Sequence, residues 1–341
     1  MKKIAIYTEA LGPISSGGIR CIVYFLNILK DRGYDVCAFV DVPPFNSTWL
    51  PSKFEVYSSN SKEYESFDEV LISPYSPTAK RVSEHKNAKH RIHWCHTFEG
   101  AFEHNGPQWM KQAVDSYRLK NISYMATSHY VKIMLELIFK QKVLPHLVPG
   151  GVDKTIFKYD DKLFREKIQR DKLTFCMLNR PESLRGIDIG LQAFNLLKKD
   201  FGDKVELGLF AGLPQDQMYT AYGFSHFFID PSLLAGLPLP PLEAMSCGCV
   251  PIVTHFGTTD YIRDEINGFL INANDIQDTY RVLKFVTEKY FSSKEKTNEG
   301  LNLNETLNDW YEERAIYARL ESEKWTWEHM VDAFEKNLEI L

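Results

Sequence analysis

Asp230-Pro231-Ser232-Leu233-Leu234-Ala235-Gly236-Leu237-Pro238-Leu239-Pro240-Pro241-Leu242-Glu243-Ala244-Met245-Ser246-Cys247-Gly248-Cys249-Val250-Pro251-Ile252-Val253 is the most informative stretch of the chain. The apolar run His226–Ile229 leads into it and Val250–Val253, rich in β-branched residues, leads out. Between them a loop stiffened by Pro238, Pro240 and Pro241 opens a helix over Leu242–Ser246. Strand, loop, helix, strand in so few residues is the signature of a parallel sheet with crossover helices. The spacing places Glu243 in the first turn of that helix. There it reads equally as an ordinary helix-start acid or as a carboxylate accepting two hydroxyl hydrogen bonds.

The same alternation extends both ways. Toward the N-terminus of this half lie Leu173–Leu178, the helical run Ile187–Leu197 and Val205–Phe210, and toward its C-terminus lies Gly268–Ile271. In the first half, Ile4–Thr8, Val36–Val40, Val70–Ser73, Ile92–Cys95 and Tyr124–Thr127 read as strands. Ile19, Ile22, Val23, Leu26 and Leu29 repeat at helical spacing before Gly33. Leu147-Val148-Pro149-Gly150-Gly151-Val152-Asp153 punctuates the middle. The expected organisation is an α/β domain over 1–153, a second over 154–324, and a Thr326-capped amphipathic helix in 325–341 that packs back toward the first. Residues 292–324 are charged and strand-poor and read as exposed helix and loop. Ligands of such sheets bind beyond the carboxyl ends of the strands, so two facing units leave a cleft.

At 341 residues, 44% apolar and 25% charged, the chain has material for two cores. A net charge of −5 gives no reason to expect nucleic acid as a partner. Lys80, Arg81, Lys86, Lys89 and Arg91 form one basic cluster, which reads first as a solvated face. No apolar run reaches membrane-spanning length and the N-terminus reads as a strand rather than a leader. Six cysteines scattered through apolar segments suit a reducing compartment, so the expected location is cytoplasmic, with peripheral membrane association as an option. Cys247 and Cys249 lack a second ligand pair and read as structural rather than metal-binding.

Three further segments carry chemistry. Gly12-Pro13-Ile14-Ser15-Ser16-Gly17-Gly18 joins the first strand to the first helix, where small residues let backbone amides approach an anion or a sugar. It is not a dinucleotide fingerprint, and Asp41 matches the ribose position only loosely. Asn179-Arg180-Pro181-Glu182-Ser183-Leu184-Arg185-Gly186 follows a strand, and two guanidinium groups there suit a diphosphate, the bland reading being two surface arginines. His93, His96, Glu99 and His104 cluster in and after Ile92–Cys95, with solvated loop groups as the bland reading. Zinc on His90, His93 and His96 is disfavoured by strand alternation, and no Asp-x-Asp pair is present.

Pro231-Ser232-Leu233, then Pro241-Leu242-Glu243-Ala244-Met245-Ser246-Cys247-Gly248 and Val250-Pro251-Ile252-Val253, resemble the donor-site signature of family-four retaining glycosyltransferases with the GT-B fold. The resemblance continues through Gly257-Thr258-Thr259-Asp260-Tyr261, Asn267-Gly268-Phe269-Leu270, Arg180, the Gly17-Gly18 loop, Pro149–Asp153 and Trp327-Glu328. It spans nearly the whole chain and is strongest over 225–272. It implies two Rossmann-like domains facing across a cleft, the first on the acceptor side and the second binding a nucleotide sugar. It further implies that Glu243 holds the ribose hydroxyls, that Arg180 and Arg185 hold the diphosphate, and that Gly17 and Gly18 face the donor phosphates and the acceptor. Arg185 stands where the family usually has Lys. The family pairs two glutamates with seven residues between them, and the earlier position here is Ala235. The sugar is then expected on the backbone of Gly236–Leu239, with Leu239 and Pro240 among the donor-binding residues. His96 or Glu99 stands where the family places a catalytic-site group after the strand. The span from Phe210 to Tyr222 is short for the family, leaving room for one strand–helix element fewer.

The implied activity is transfer of a sugar, hexosyl or related, from a nucleotide-diphosphate sugar to a glycan, lipid-linked or other hydroxyl acceptor. Retention is expected, with no cofactor and no metal, because arginines and helix N-termini would neutralise the leaving diphosphate. The rival is a catalytically weak GT-B-like glycan-binding or partner subunit, favoured by Ala235. A dehydrogenase is distant because the glycine fingerprint is absent.

Overall fold

The structure is a computed structural model that describes residues 2–11, 16–42, 51–102, 106–180, 183–298 and 310–341. In chain order it contains β1 (Lys3–Thr8), α1 (Gly17–Asp31), β2 (Asp35–Val40), β3 (Glu55–Ser58), α2 (Lys62–Glu65), β4 (Val70–Ser73), α3 (Ser76–Ser83), β5 (His90–Cys95), α4 (Pro107–Ser116), β6 (Ser123–Ala126) and α5 (His129–Ile133). Then follow α6 (Asp161–Ile168), β7 (Leu173–Leu178), α7 (Ile187–Phe201), β8 (Val205–Phe210), α8 (Gln215–Phe224), β9 (Phe227–Asp230), α9 (Leu239–Ser246), β10 (Val250–Thr254), β11 (Phe269–Ile271), α10 (Ile276–Asn298), α11 (Trp310–Ser322) and α12 (Trp327–Leu338). They form two compact units, one of Met1–Gly151 with Thr326–Leu341 and one of Val152–Trp325.

The first unit is built on a six-stranded sheet of order β3-β2-β1-β4-β5-β6, parallel throughout. A parallel sheet covered on both faces demands apolar residues at consecutive positions, and β4 is buried at every residue. Helix α1 begins where the Ser16 hydroxyl accepts from the Ile19 amide and buries Ile22, Val23, Phe25, Leu26 and Leu29 along one stripe. Gly33, at φ +87°, ends it, a conformation that favours glycine. Helix α12 joins this unit through Trp327, stacked on Tyr24 at 4.4 Å, and Phe334, edge-on to Phe25. Its Thr326 cap accepts from the His329 amide. A Cβ on Gly151 would lie 2.4 Å from the Thr326 backbone, so the two chain crossings of this unit meet where only glycine fits.

The second unit carries a five-stranded parallel sheet of order β11-β10-β9-β7-β8. Its core gathers Phe175, Met177, Phe194, Phe227, Ile229, Val250, Ile252 and Phe269. Burial of such side chains stabilises by roughly 1.5–3 kcal/mol each. Only α8 intervenes between β8 and β9, and β8 is an edge strand.

Two sequence expectations are corrected. Strand β3 was not among the expected strands: it is a four-residue edge element, partly exposed, so its side chains carry little apolar signal. The expectation of exposed helix and loop over 292–324 fails for α11, whose Tyr311, Ala315 and Ala318 are buried. The Tyr311 hydroxyl reaches the carbonyls of His226 and Gly248 at 3.0 and 3.1 Å. Residues 299–309 lie outside the described residues.

Candidate functional site

Strand order locates where each unit can bind a ligand. In the second unit the chain leaves β7 toward β8 and returns on the other side as β9, so the order reverses between β7 and β9. The carboxyl ends of these strands lead to Arg180 and to Asp230-Pro231. Arg180 and Arg185, both half-buried, line one small pocket there with Met177, Leu178, Phe228, Ile229, Asp230 and Pro231. The structure thus brings the two arginines together. Pro181 and Glu182 between them lie outside the described residues.

The loop beyond β9 is held by its backbone from several sides. Gly186, at φ +62°, would place a Cβ 2.1 Å from the Pro231 carbonyl oxygen. Gly257, at φ +67°, would place one 1.9 Å from that of Gly236. The Leu233 amide donates to the Leu184 carbonyl at 2.8 Å, the Thr254 hydroxyl to the Ser232 carbonyl at 2.6 Å, and the Tyr261 hydroxyl to the Pro238 carbonyl at 2.9 Å. The segment from Pro231 to Pro238 is therefore tied at Ser232, Leu233 and Pro238, and Ala235 inside it is only 8% exposed.

Glu243 departs from expectation. Helix α9 begins at Leu239, after Pro238, so Glu243 is its fifth residue and the first turn carries no acid. The prolines explain the shift, since fixed φ and a missing amide proton suit them to the start of a helix. Support from the helix dipole is lost. Of the expected donor-binding residues, Leu239 can offer an amide proton and Pro240 cannot. Glu243 is 4% exposed. Burial pushes the pKa of the Tyr222 hydroxyl well above its ordinary value, with Glu243 adding to the rise and Arg180 opposing it. Tyr222 is fully buried and its hydroxyl has no hydrogen-bond partner. An aromatic residue in a helical pattern gave no sequence signal for this place.

In the first unit the order reverses between β1 and β4. Beyond their carboxyl ends stand Glu9, Tyr75 and Ser76. Glu99 opens a single 3-10 turn, Glu99–Ala101, and is 6% exposed. Its carboxylate accepts from the Ser76 amide at 2.8 Å, and its own amide donates to the Tyr117 hydroxyl at 2.9 Å. Burial raises its pKa to about 7, against the bonds from Ser76, with Glu9 adding to the rise. His96 packs against Trp94 at 4.4 Å, its Nε2 buried and without a partner, as is the Thr97 hydroxyl. Burial lowers His96 to about 3, and the ring is neutral. The structure does not pair His96 with Glu99: the first faces Trp94, the second Ser76 and Tyr117. His93 bridges the Ser73 carbonyl at 3.1 Å and the Ser116 hydroxyl at 3.2 Å, which makes it a core histidine. His104 lies outside the described residues.

Gly17 and Gly18 open α1 and are exposed, and a Cβ on Gly18 would meet nothing within 4 Å. Gly12–Ser15 lie outside the described residues. Asp41 is engaged by Tyr7 at 3.0 Å and by Ser59 and Arg81, which removes it as a ribose ligand. Arg81 also lies over the rings of Tyr7 and Tyr64, and Arg91 donates to the carbonyls of His85, Ala88 and Asn121. Two of the five basic residues thus serve the fold rather than a free cationic face. Among the described residues no cluster of three His, Cys, Asp or Glu side chains could hold a metal ion. Sequence reasoning also missed the buried Lys167, whose ammonium donates to the carbonyls of Ser225 and Gly248 at 3.1 and 2.8 Å. A lysine on a short charged helix gives no sign that it points inward.

Residues 202–300 match the family model for glycosyl transferases group 1. The chain is 28% identical over 159 residues to the serotype-specific mannosyltransferase WbdA of Escherichia coli, covering 44% of this chain and 17% of that protein. It is 42% identical over 65 residues to the UDP-Gal:alpha-D-GlcNAc-diphosphoundecaprenol alpha-1,3-galactosyltransferase of Escherichia coli, covering 19% of this chain and 17% of that one. The chain therefore spans about a sixth of the length of either relative. Among solved structures it superposes on Anabaena HepE in complex with UDP-glucose with a TM-score of 0.70 at 12% identity, covering all of both chains. The resemblance to GT-B glycosyltransferases holds in local sequence and in fold: the architecture is GT-B, with two Rossmann-like units.

Proposed function

We propose that the chain is a glycosyltransferase that moves a hexosyl or related sugar from a nucleotide-sugar donor to a hydroxyl acceptor. The observation that carries this reading is the convergence of Arg180 and Arg185 on one pocket at the strand-order reversal of the second unit, beside a loop tied through its backbone. Two guanidinium groups there suit a diphosphate, gripped through charge-assisted bonds, and the family resemblance assigns Glu243 to the ribose hydroxyls. UDP is the first nucleotide to test, because HepE holds UDP-glucose in its solved structure.

Transfer with retention follows one course in this site. The anomeric carbon–oxygen bond to the diphosphate breaks, with the charge received by Arg180 and Arg185. The acceptor hydroxyl attacks from the same face and its proton passes to a diphosphate oxygen. The guanidinium groups take the place of a metal ion in stabilising the leaving group. His96, neutral and with a free ring nitrogen, and Glu99 are the groups of the first unit assigned to substrate contact. A lipid-linked acceptor, as in the name of the galactosyltransferase relative, would bring the enzyme to a membrane surface.

Calorimetric titration with UDP tests the donor site. Arg180→Ala and Glu243→Gln are each expected to weaken binding by about 1.5–3 kcal/mol, as for hydrogen bonds to charged groups, with EDTA without effect on turnover. Unchanged affinity in the folded double variant would overturn the assignment. Ala235 favours a second reading, a weak or silent glycan-binding subunit. Turnover with any nucleotide sugar excludes it.

A further inference from the structure

The mouth of the first unit holds three half-buried aromatic rings that the donor chemistry does not use. Trp109, in the first turn of α4, lies 6.0 Å from Tyr75 and 6.0 Å from Phe102, near-parallel to the latter at 28°. Phe102 closes the 3-10 turn that Glu99 opens, so one short element delivers both a ring and a carboxyl group. Burial raises the pKa of Tyr75, and Glu99 and Glu9 add to the rise, which puts carboxylates and this ring in one neighbourhood. Glu9 itself is exposed.

Aromatic clusters more often fill a core than bind a ligand. Here the adjacent core is already filled by Phe98, Tyr117 and Phe139, which contact one another at 5.0–6.1 Å. Tyr75, Phe102 and Trp109 stand outside that group and each keeps part of its surface in water. Rings bordered by carboxylates match a pyranose, whose C–H face lies on aromatic surface while its hydroxyl rim donates to carboxylate oxygens. An acyl chain would gain nothing from Glu9 and would pay its desolvation.

We propose that Tyr75, Phe102 and Trp109, with Glu9 at their edge, form a subsite for a pyranose ring of a glycan acceptor. This rests on the glycosyltransferase reading and names its acceptor class as a sugar. Saturation-transfer NMR with methyl α-mannoside and N-acetylglucosamine as probes, at tens of millimolar, tests it alongside calorimetry with UDP. Binding of at least one probe is expected, weakened about tenfold in Trp109→Ala and Phe102→Ala and less in Glu9→Gln, with UDP affinity held within about twofold. Trp109→Phe, which keeps a π face, should recover most of the binding that Trp109→Leu loses, separating ring recognition from simple packing. No probe binding by the native chain, equal binding by folded Trp109→Leu, or saturation transfer only to an octyl-chain probe would each overturn the proposal. Sugar binding without UDP binding would instead overturn the donor-site reading and leave this one standing.

Discussion

The two units use the same architecture to opposite ends at their ligand mouths. Each is a parallel sheet whose strand order reverses once, and each gathers its candidate groups at that reversal. In the second unit the mouth is made of backbone held by backbone, with Gly186 and Gly257 pressed against carbonyls and two arginines lining one small pocket. In the first it is made of side chains: partly exposed rings, carboxylates, and buried polar atoms of His96 and Thr97 that lack protein partners. A rigid charged mouth suits a constant ligand such as a nucleoside diphosphate. A side-chain-built mouth can be refitted residue by residue, as a varied acceptor requires.

The comparison can be broken most forcefully at Gly257. Its Cβ would stand 1.9 Å from the Gly236 oxygen at positive φ, so Gly257→Ala is expected to cost roughly 3 kcal/mol of stability in urea denaturation. A loss below about 1 kcal/mol would mean the loop yields, and the contrast in rigidity would go.

A smaller effect sharpens the contrast from the other side. Glu99 has its pKa raised to about 7 from the ordinary 4.5, so the folded chain keeps a proton that the unfolded chain releases. Stability from this group therefore falls as pH rises between those values. His93 and His96, lowered to about 4 and 3 from 6.5, act oppositely: their contribution is full above 6.5 and is lost as pH falls toward the folded values. Glu99→Gln should flatten the decline of the urea midpoint between about pH 5 and 8 while leaving the acid limb unchanged. An unaltered profile would show that Glu99 is not held protonated.

The smallest expected change lies at Gly18. Open space surrounds its absent Cβ, so Gly18→Ala should leave stability within about 1 kcal/mol and on the favourable side, since alanine suits a helix better. A fall in donor or acceptor affinity without loss of stability would then report a ligand against α1. Unchanged affinity and turnover would remove Gly17-Gly18 from the site.

How much could be read in advance followed from how local the signal was. The strands of both sheets were legible because residues such as Val70-Leu71-Ile72 are buried on both faces and must be apolar. The proximity of Arg180 and Arg185 was legible because one short loop after β7 carries both. The turn occupied by Glu243 was not, because the prolines start α9 three residues earlier than apolar spacing alone suggests. Tyr222, Tyr75 and Trp109 were illegible for another reason. An aromatic residue looks the same in sequence whether it fills a core or lines a mouth, and only tertiary placement separates the two. The inward turn of Lys167 depends on carbonyls 58 and 81 residues away, which no local window contains.

The contact of Gly257 with Gly236 also bears on how such a chain can diverge. Gly257, like Gly186, presses on the loop through main-chain atoms, so neither of these two can be replaced singly without a compensating shift in a segment that is itself tied at Leu233, Ser232 and Pro238. The frame is inherited as a block. On the proposed donor site, a change at Ala235 would alter a side chain within the loop while the tied backbone stays put.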